Sequence, residues 1–549
     1  MQTKSSELLP WLTGATVLLA LFAGVVLDID LPGVYMDAVN PDYLVVSVLN
    51  PGRQLALWAL PGNLLAGRFP VLTSLYHGTE QLWFGLPFFA LFGTTVVALR
   101  LIHGLFAAAV LVCVTLLLRR AGLREVAIAA VGIALAVDPS FVFAFRTQSY
   151  ITLAPCAWLL ASLLALLRLH SASDPRRWLL ASGIAFGIAF FGYFVYLFYL
   201  PAVVYVVLAA PAAPREPLTP RWRRLWPWAI GVCIGAIGYP LGYALALGRL
   251  GGPTGFVAYL AETQRSLGVM NSTLGLGARL DFAWAMVTSI TRNWWHHSMM
   301  FGGDPTSVPW AQAKTMLLTV APIGLWLLAE ARRNATLPLR ATVACGVSFF
   351  ALSLVFGNRL GGHHYTSLLV LGYVGLALGI AALVGAREGR PSQSRTAWIM
   401  LPMAVLVALN LQGQIDVRTK LRETGGMGLL SDAINRFAAD AAREHADDFY
   451  FFPDWGLALP FAFLTAGGVD FSNAPDANKA RTLLCKGRDI HVALITGDRR
   501  ARIEAYTREF DWSDPTVTPY RQRDGATVFD IATWRGETPG GAGERCRVR

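Results

Sequence analysis

The sequence predicts a mainly α, polytopic helical membrane protein with a C-terminal extracytoplasmic α/β domain. Three observations predict it. Of 549 residues, 54% are hydrophobic and only 15% charged. Soluble domains carry roughly 25% charged residues, and disorder needs low hydrophobicity, so both classes are excluded. Long apolar runs recur along the first three quarters of the chain. The charge balance then changes. Residues 1–412 hold 27 Lys+Arg against 15 Asp+Glu, while 413–549 hold 19 against 20. The basic surplus lies in short loops between apolar runs, where membrane topology places it, and does not indicate nucleic acid.

Spans are expected at about 9–27, 101–118, 126–143, 150–167, 178–191, 194–210, 227–247, 315–329, 341–356, 365–385 and 397–412, about eleven in all. Basic flanks on both sides of 178–210 favour two crossings over one long tilted helix. The clusters Arg119/Arg120/Arg124, Arg168/Arg176/Arg177, Arg215/Arg221/Arg223/Arg224, Arg332/Arg333/Arg340 and Arg387/Arg390/Arg395 fall in alternate loops. These loops, with Lys4, belong on the cytoplasmic side by the positive-inside rule. The loops 28–100, 138–149, 248–314 and 357–364 then share the outer side with the C-terminal domain. The first run lacks a clear cleavage site and reads as an uncleaved anchor. Arginine far outnumbers lysine, 41 to 5, which points to a GC-rich genome and a bacterial inner membrane.

In the first outer loop, Asn40 and Pro41 suit the start of a helix over "NPDYLVVSVL", expected to lie along the membrane surface. "PGRQLALWALPGNLLAGRFP" continues as an interfacial stretch. Beyond 412, "DDFYFFPDW", "DIHVALITG" and "GATVFDIATW" alternate as strands, and 427–446 and 499–509 read as helices. Four cysteines fall inside spans as apolar filler. Cys485 and Cys546 lie in the outer domain, where a disulfide is permitted. The N-x-T sequons at Asn271 and Asn334 read as chance matches.

Ionisable residues near a bilayer are costly and mark function by default. Asp28, Asp30, Asp37 and Asp42 make the first outer loop the densest acidic group. A carboxylate just above the bilayer, Asp37 or Asp42, can act as general base toward an acceptor hydroxyl or amine. Helix capping is the competing role, since Asp42 falls in a first turn. Arg53, Arg68, His77, Arg100, Arg146, Arg292, His296, His297, Arg359, His363 and His364 form the outer cations. They suit either a departing lipid phosphate or phospholipid headgroups. "GGHHYTSLL" sets His363, His364 and Tyr365 at the opening of a span, suited to a sugar or phosphate. A zinc site there lacks a third ligand at telling spacing, and no CxxC or His/Cys pair has metal spacing. No metal or other cofactor is expected, and no P-loop or Rossmann glycine pattern is present.

The order of these motifs resembles the GT-C superfamily, in particular the branch containing protein O-mannosyltransferases and the lipid A aminoarabinose transferase. The resemblance spans roughly 1–412. It rests on Asp37 in an acidic first outer loop, "LYHGTEQLWFGLPFFALFG" at 75–93, "RLIHGLFAAAVLVCVTLLLRR" from Arg100, "AVDPSFVFAFRTQSY" at 136–150 and "HHYTSLLVLGY" at 363–373. Two departures stand out. Ala38 follows Asp37 where the family usually has Glu, and Gly78–Thr79 replace two prolines after the basic position, here His77.

The resemblance implies transfer of a sugar from a polyprenyl-phosphate donor to an envelope lipid, polysaccharide or protein, with inversion. Asp37 would be the base, with Asp42 as substitute. His77, Arg146 and Arg359 would meet the phosphate, with Tyr76 and Glu80 orienting His77 or touching the sugar. Two other readings compete. One is a lipid-linked glycan flippase or transporter, which the gathering of charges at the outer ends disfavours. The other is a non-catalytic GT-C-like envelope assembly protein.

Overall fold

The computed structural model describes residues 3–50, 52, 64–65, 69–171, 174–211, 220–267, 274–303, 310–384, 393–537 and 546. Arg53, Arg68, Arg215, Asn271, Arg387, Arg390 and most of the 51–70 stretch lie outside them.

Among the described residues, seven helices are long and apolar enough to cross a membrane: Leu8–Val26, Val96–Arg120, Ser149–Leu166, Ala311–Ala331, Leu337–Arg359, Gly362–Leu383 and Thr396–Thr424. Two bent pairs bring the number to nine, Glu125–Ala136 with Pro139–Thr147 (53°) and Arg221–Gly235 with Gly238–Arg249 (47°). The first bend sits at Asp138–Pro139. Asp138 accepts the amide of Ser140 as N-cap, and the proline disfavours helical backbone before it. The other two expected spans are the helices Pro175–Gly192 and, shorter, Phe194–Ala209. Tyr193 is extended between them (φ −154°, ψ 129°), so the 178–210 stretch is two helices.

The tightest helix contact is built from glycines. Gly183 and Gly187 on Pro175–Gly192 face Gly231 and Gly235 on Leu225–Gly235. A Cβ on Gly183 would stand 2.1 Å from the Trp228 carbonyl, and one on Gly231 2.3 Å from that of Leu180. Two small-xxx-small stripes thus let the backbones touch, the arrangement that replaces hydrophobic driving force within lipid. Gly183→Leu is expected to separate the two helices and lower the thermal unfolding midpoint in detergent, whereas Gly346→Leu, with nothing within 4 Å of its Cβ position, leaves it unchanged. Equal midpoints would show that the contact carries no stability.

A polar network joins the bundle near the first bend. Lys314 pairs with Asp138 at 2.7 Å, both buried. Tyr373 donates to the same carboxylate, and Asn410 links Lys314, Tyr373 and the Ala134 carbonyl. Every charge is matched, as charges inside a bundle require.

The final membrane helix runs unbroken over Gln393–Thr424, so the stretch 413–424 that follows the expected last span continues the same helix. The α/β unit follows. Its sheet has the order 470–472, 449–451, 490–494, 527–534, 516–521, with the first three strands parallel and the last two antiparallel. The three expected strands and the helices Ala433–Glu444 and Arg499–Phe510 are present. Edge strands 470–472, half-buried throughout, and 516–521, mostly exposed, carry no buried alternation that would mark them in the sequence. Cys485 and Cys546 form a disulfide.

The domain sits on the first loop. Gly33 donates its amide to the Leu430 carbonyl (2.7 Å), and a Cβ on it would fall 1.9 Å from the Ser431 oxygen. The segment expected to lie along the membrane surface is instead a 3-10 turn, Asp42–Leu44, leading into the helix Val45–Leu49. Tyr43, Leu44, Val45 and Val46 are fully buried. The domain helix Ala458–Leu464 packs on them, and Asn50 donates to the Ala466 carbonyl beside it. Apolar residues on every side fit a roofed segment, not an amphipathic one.

Candidate active site

The loops predicted to share one side meet at the end of the bundle that carries the α/β domain. Arg146, near the C-terminus of Pro139–Thr147, organises them. Its Nη1 donates to the carbonyls of Asp28 (2.7 Å) and Leu31 (2.6 Å). Its Nη2 donates to those of Gly24, Val25 and Leu27. Arg418 adds bonds to the Gly24 and Leu27 carbonyls and to the Asp28 carboxylate. The guanidinium thus caps the first membrane helix and holds the loop leaving it. Expected at a donor phosphate, Arg146 here commits both its terminal nitrogens to carbonyls and is wholly buried.

Downstream of that clamp, the short helix Met36–Val39 presents Asp37, half-buried. Its carboxylate accepts from the Tyr35 hydroxyl (2.5 Å), Gln148 Nε2 (3.2 Å) and the Tyr150 hydroxyl (3.5 Å). Gln148 also donates to the Tyr35 hydroxyl. Burial holds the Asp37 carboxyl above its ordinary range, and the three hydrogen bonds oppose that rise. The same burial, with Asp37 alongside, pushes the Tyr35 phenol well above its ordinary value.

His77 reaches this group through a small hairpin, Leu72–Ser74 paired with His77–Gly78. Its ring stacks on Tyr150 (4.2 Å between centroids), and Nδ1 lies 2.9 Å from the Thr73 hydroxyl. Gly78 lets the hairpin press on the neighbouring helix, since a Cβ there would meet the Phe191 oxygen at 2.4 Å. Burial pushes His77 down to about 3, so the ring is neutral at pH 7. Its Nε2 is buried with no hydrogen-bond partner among the described residues, and the ring brings no positive charge. Tyr76 packs edge-on to Tyr193 and Phe194.

Tyr193 continues the array. Its hydroxyl lies 3.2 Å from His364 Nε2, and His364 Nδ1 lies 3.0 Å from the Gly361 carbonyl. A carbonyl only accepts, so Nδ1 carries the proton and Tyr193 donates to Nε2. His363 stacks on His364 (4.0 Å) and against Trp295 (5.3 Å). Asp37, Tyr76, His77, His363 and His364 are therefore brought into one array by Tyr35, Tyr150 and Tyr193. Arg359, exposed, stands two residues before Gly361 at its edge.

The remaining candidates lie elsewhere. Asp42 is fully buried and accepts from Gln81 (2.6 Å) and pairs with His103 (2.8 Å). It is closed off from solvent in this structure, unlike half-buried Asp37. Tyr365 is buried against Phe349, beneath the array. Glu80 is buried beside Gly192, where a Cβ would strike its Oε1, and neither oxygen has a protein partner. Burial raises it to about 8, against the opposing pull of the Glu80 and Gln81 backbone amides and with a smaller push from the Asp42 charge. Among the described residues, neither Glu80 oxygen is hydrogen-bonded to Asp37 or His77.

Glu80 yields a pH signature. In the folded protein it keeps its proton up to about pH 8, whereas its ordinary value is 4.5. Between these values the folded state binds more protons than the unfolded one, so stability falls as pH rises. Glu80→Gln is expected to flatten the decline of the unfolding midpoint between those two values. Parallel profiles for the two proteins would mean that Glu80 is ionised in the fold.

Tyr35, Gln148, Tyr150, Tyr193 and Trp295 were not singled out in the sequence. The "RTQSY" end of the motif at 136–150 carried the signal, but its charged residue drew the attention while Gln148 and Tyr150 make the contacts to Asp37.

Residues 81–239 match the family described as dolichyl-phosphate-mannose-protein mannosyltransferase. No curated protein matches the sequence. Among solved structures, ArnT from Cupriavidus metallidurans in the apo state superposes with TM-score 0.57 at 15% identity, covering 97% of this chain and 98% of that one. The same protein bound to undecaprenyl phosphate superposes with TM-score 0.54 at 15% identity, covering 95% and 97%. Sequence over 81–239 and fold over nearly the whole length converge: this chain is a polytopic membrane protein with the GT-C fold, resembling the polyprenyl-phosphate-sugar-dependent glycosyltransferases.

Proposed function

We propose that the protein transfers a sugar from a polyprenyl-phosphate donor to an envelope acceptor, with inversion and with Asp37 as general base. The carrying observation is the carboxylate itself. It is half-buried at the domain-bearing end of the bundle, held by three donors, and has neutral imidazoles beside it. The acceptor hydroxyl or amine attacks the anomeric carbon, the bond to the phosphate oxygen breaks, and the acceptor's proton passes to Asp37. Burial raises the basicity of that carboxylate, which favours proton uptake. The His77 Nε2 and His364–Tyr193 pair supply hydrogen bonds to donor or acceptor, and Arg359 is the exposed cation nearest in sequence for the departing phosphate.

An apolar cavity of about 370 Å³ opens between the helices Glu80–Phe92, Val96–Arg120 and Ala154–Leu166, lined by Phe84, Phe88, Phe106 and Trp158. It suits a polyprenyl tail entering from the bilayer. The ArnT structure with undecaprenyl phosphate supports a donor of this class. We place the site and the α/β domain on the outer face of a bacterial inner membrane, following the arginine-rich loops at the opposite end. No metal or cofactor takes part in this chemistry.

The test is release of free polyprenyl phosphate by purified protein supplied with a panel of polyprenyl-phosphate sugars and a crude envelope acceptor fraction. Release by wild type and not by Asp37→Asn supports the reading and names the sugar. Movement of a lipid-linked glycan across a vesicle membrane without such release would favour a flippase.

A further inference from the structure

The α/β domain carries a second cluster that the proposed reaction does not use. His445 ends the helix Ala433–Glu444, Asp448 immediately precedes the strand Phe449–Phe451, and His491 lies in the central strand Ile490–Leu494. His445 Nδ1 and His491 Nε2 both stand 3.0 Å from the same oxygen, Asp448 Oδ2. The three ligand atoms all lie within 4.8 Å of one another. Four ligands at about 2.05 Å from a tetrahedral zinc stand about 3.3 Å apart. Two edges of that tetrahedron are thus nearly in place, and only the approach of the two nitrogens is needed to complete a face.

The surroundings hold the most buried ligand as a metal site would. His491 is 5% exposed. Its Nδ1 lies 2.9 Å from the Thr533 hydroxyl on the neighbouring strand, at the paired register position. Tyr450 stacks on the ring at 4.4 Å and 13°. A hydrogen bond on the far nitrogen fixes ring orientation and directs the Nε2 lone pair toward the cluster. His445 is 46% exposed, which leaves a fourth position open to water.

We propose that His445, Asp448 and His491 bind a divalent metal ion, with zinc the ion that this N₂O set fits. The ion ties the helix end and the start of the next strand, where His445 and Asp448 are three positions apart, to a strand 43 positions further on. The site stands apart from the Asp37 array and does not depend on the transfer reaction.

Zinc chloride alone is the probe. Untagged full-length protein in detergent is stripped with a chelator and titrated in competition with a chromophoric chelator, beside H445A/H491A. Histidines in the membrane region can also take up zinc, so the readout is the difference between the two proteins. Wild type is expected to bind one more equivalent per chain, and zinc is expected to raise the unfolding midpoint of wild type only. Thr533→Val is expected to keep the stoichiometry and weaken this equivalent by about 10–100-fold, the usual effect of losing an outer hydrogen bond. Equal stoichiometry in wild type and H445A/H491A would overturn the proposal and leave two imidazoles sharing one carboxylate. If the double variant does not fold, H445A serves instead, since His445 is half exposed at a helix end. It is expected to lose at least tenfold in affinity, and an unchanged affinity would overturn the proposal.

Discussion

Asp37→Asn is expected to lower sugar transfer by about 10²–10⁴-fold, the range a positioned general base contributes, while donor binding stays within twofold. The asparagine keeps an oxygen to accept from Tyr35 and Gln148, so the pocket's hydrogen bonds survive and only the proton acceptor is lost. Single-turnover release of polyprenyl phosphate separates the two effects, because binding and chemistry are read independently. The pH profile gives a second readout. A base works when ionised, so transfer falls as pH drops through its pKa. Burial holds Asp37 above the ordinary carboxylate range, and the acid limb of wild type is expected to lie above about pH 4, the free aspartate value. In the variant that limb disappears. Retention of full activity would move the base elsewhere. Asp42 is the less suited substitute, since it has no exposure and its Oδ2 is taken up by Gln81 and His103.

Legibility in the sequence followed the range of the interaction. Apolar runs announced the membrane helices because a span is a local property of about 20 residues. Arginine clusters are local in the same way, which is why an expected sidedness could be written from them. The strands 449–451, 490–494 and 527–534 showed through because their alternation is also local. The array around Asp37 was half legible. His77, His363 and His364 stand out as ionisable residues near a bilayer, yet the tyrosines that join them look like ordinary interfacial aromatics. The roofed helix Val45–Leu49 was misplaced because an apolar surface covered by another domain reads like one covered by lipid. His445, Asp448 and His491 escaped because their approach depends on strand register, and the spacing of 43 positions between Asp448 and His491 matches no ligand motif.

Arg146 shows the same limit most sharply, and replacing it is the second large expected effect. Its contacts are backbone carbonyls of Gly24, Val25, Leu27, Asp28 and Leu31, which leave no mark in residue identity. From the sequence it was an outer cation awaiting a phosphate, and loss of donor affinity was the expected result of Arg146→Ala. The structure changes the expectation. Removing the guanidinium takes the donor from the Val25 and Leu31 carbonyls, weakens the hold on Gly24, Leu27 and Asp28, which keep Arg418 or the Leu31 amide, and frees the loop that carries Asp37. Unpaired buried polar groups cost about 1–3 kcal/mol each, less than additively, so a loss of several kcal/mol is expected, a large part of an ordinary domain's stability. Arg146→Lys is not expected to rescue it. An ammonium has three donors on one atom and cannot span carbonyls that the planar fork reaches from two. The measurement is detergent-solubilised yield and unfolding midpoint of both variants beside Arg359→Ala. Low yield or midpoint for both Arg146 variants, with Arg359→Ala folded and impaired only in donor binding, assigns the clamp to one arginine and the phosphate to the other. A stable Arg146→Ala that binds donor weakly would return Arg146 to the phosphate, and the carbonyl cage would then describe a resting arrangement that opens when donor enters.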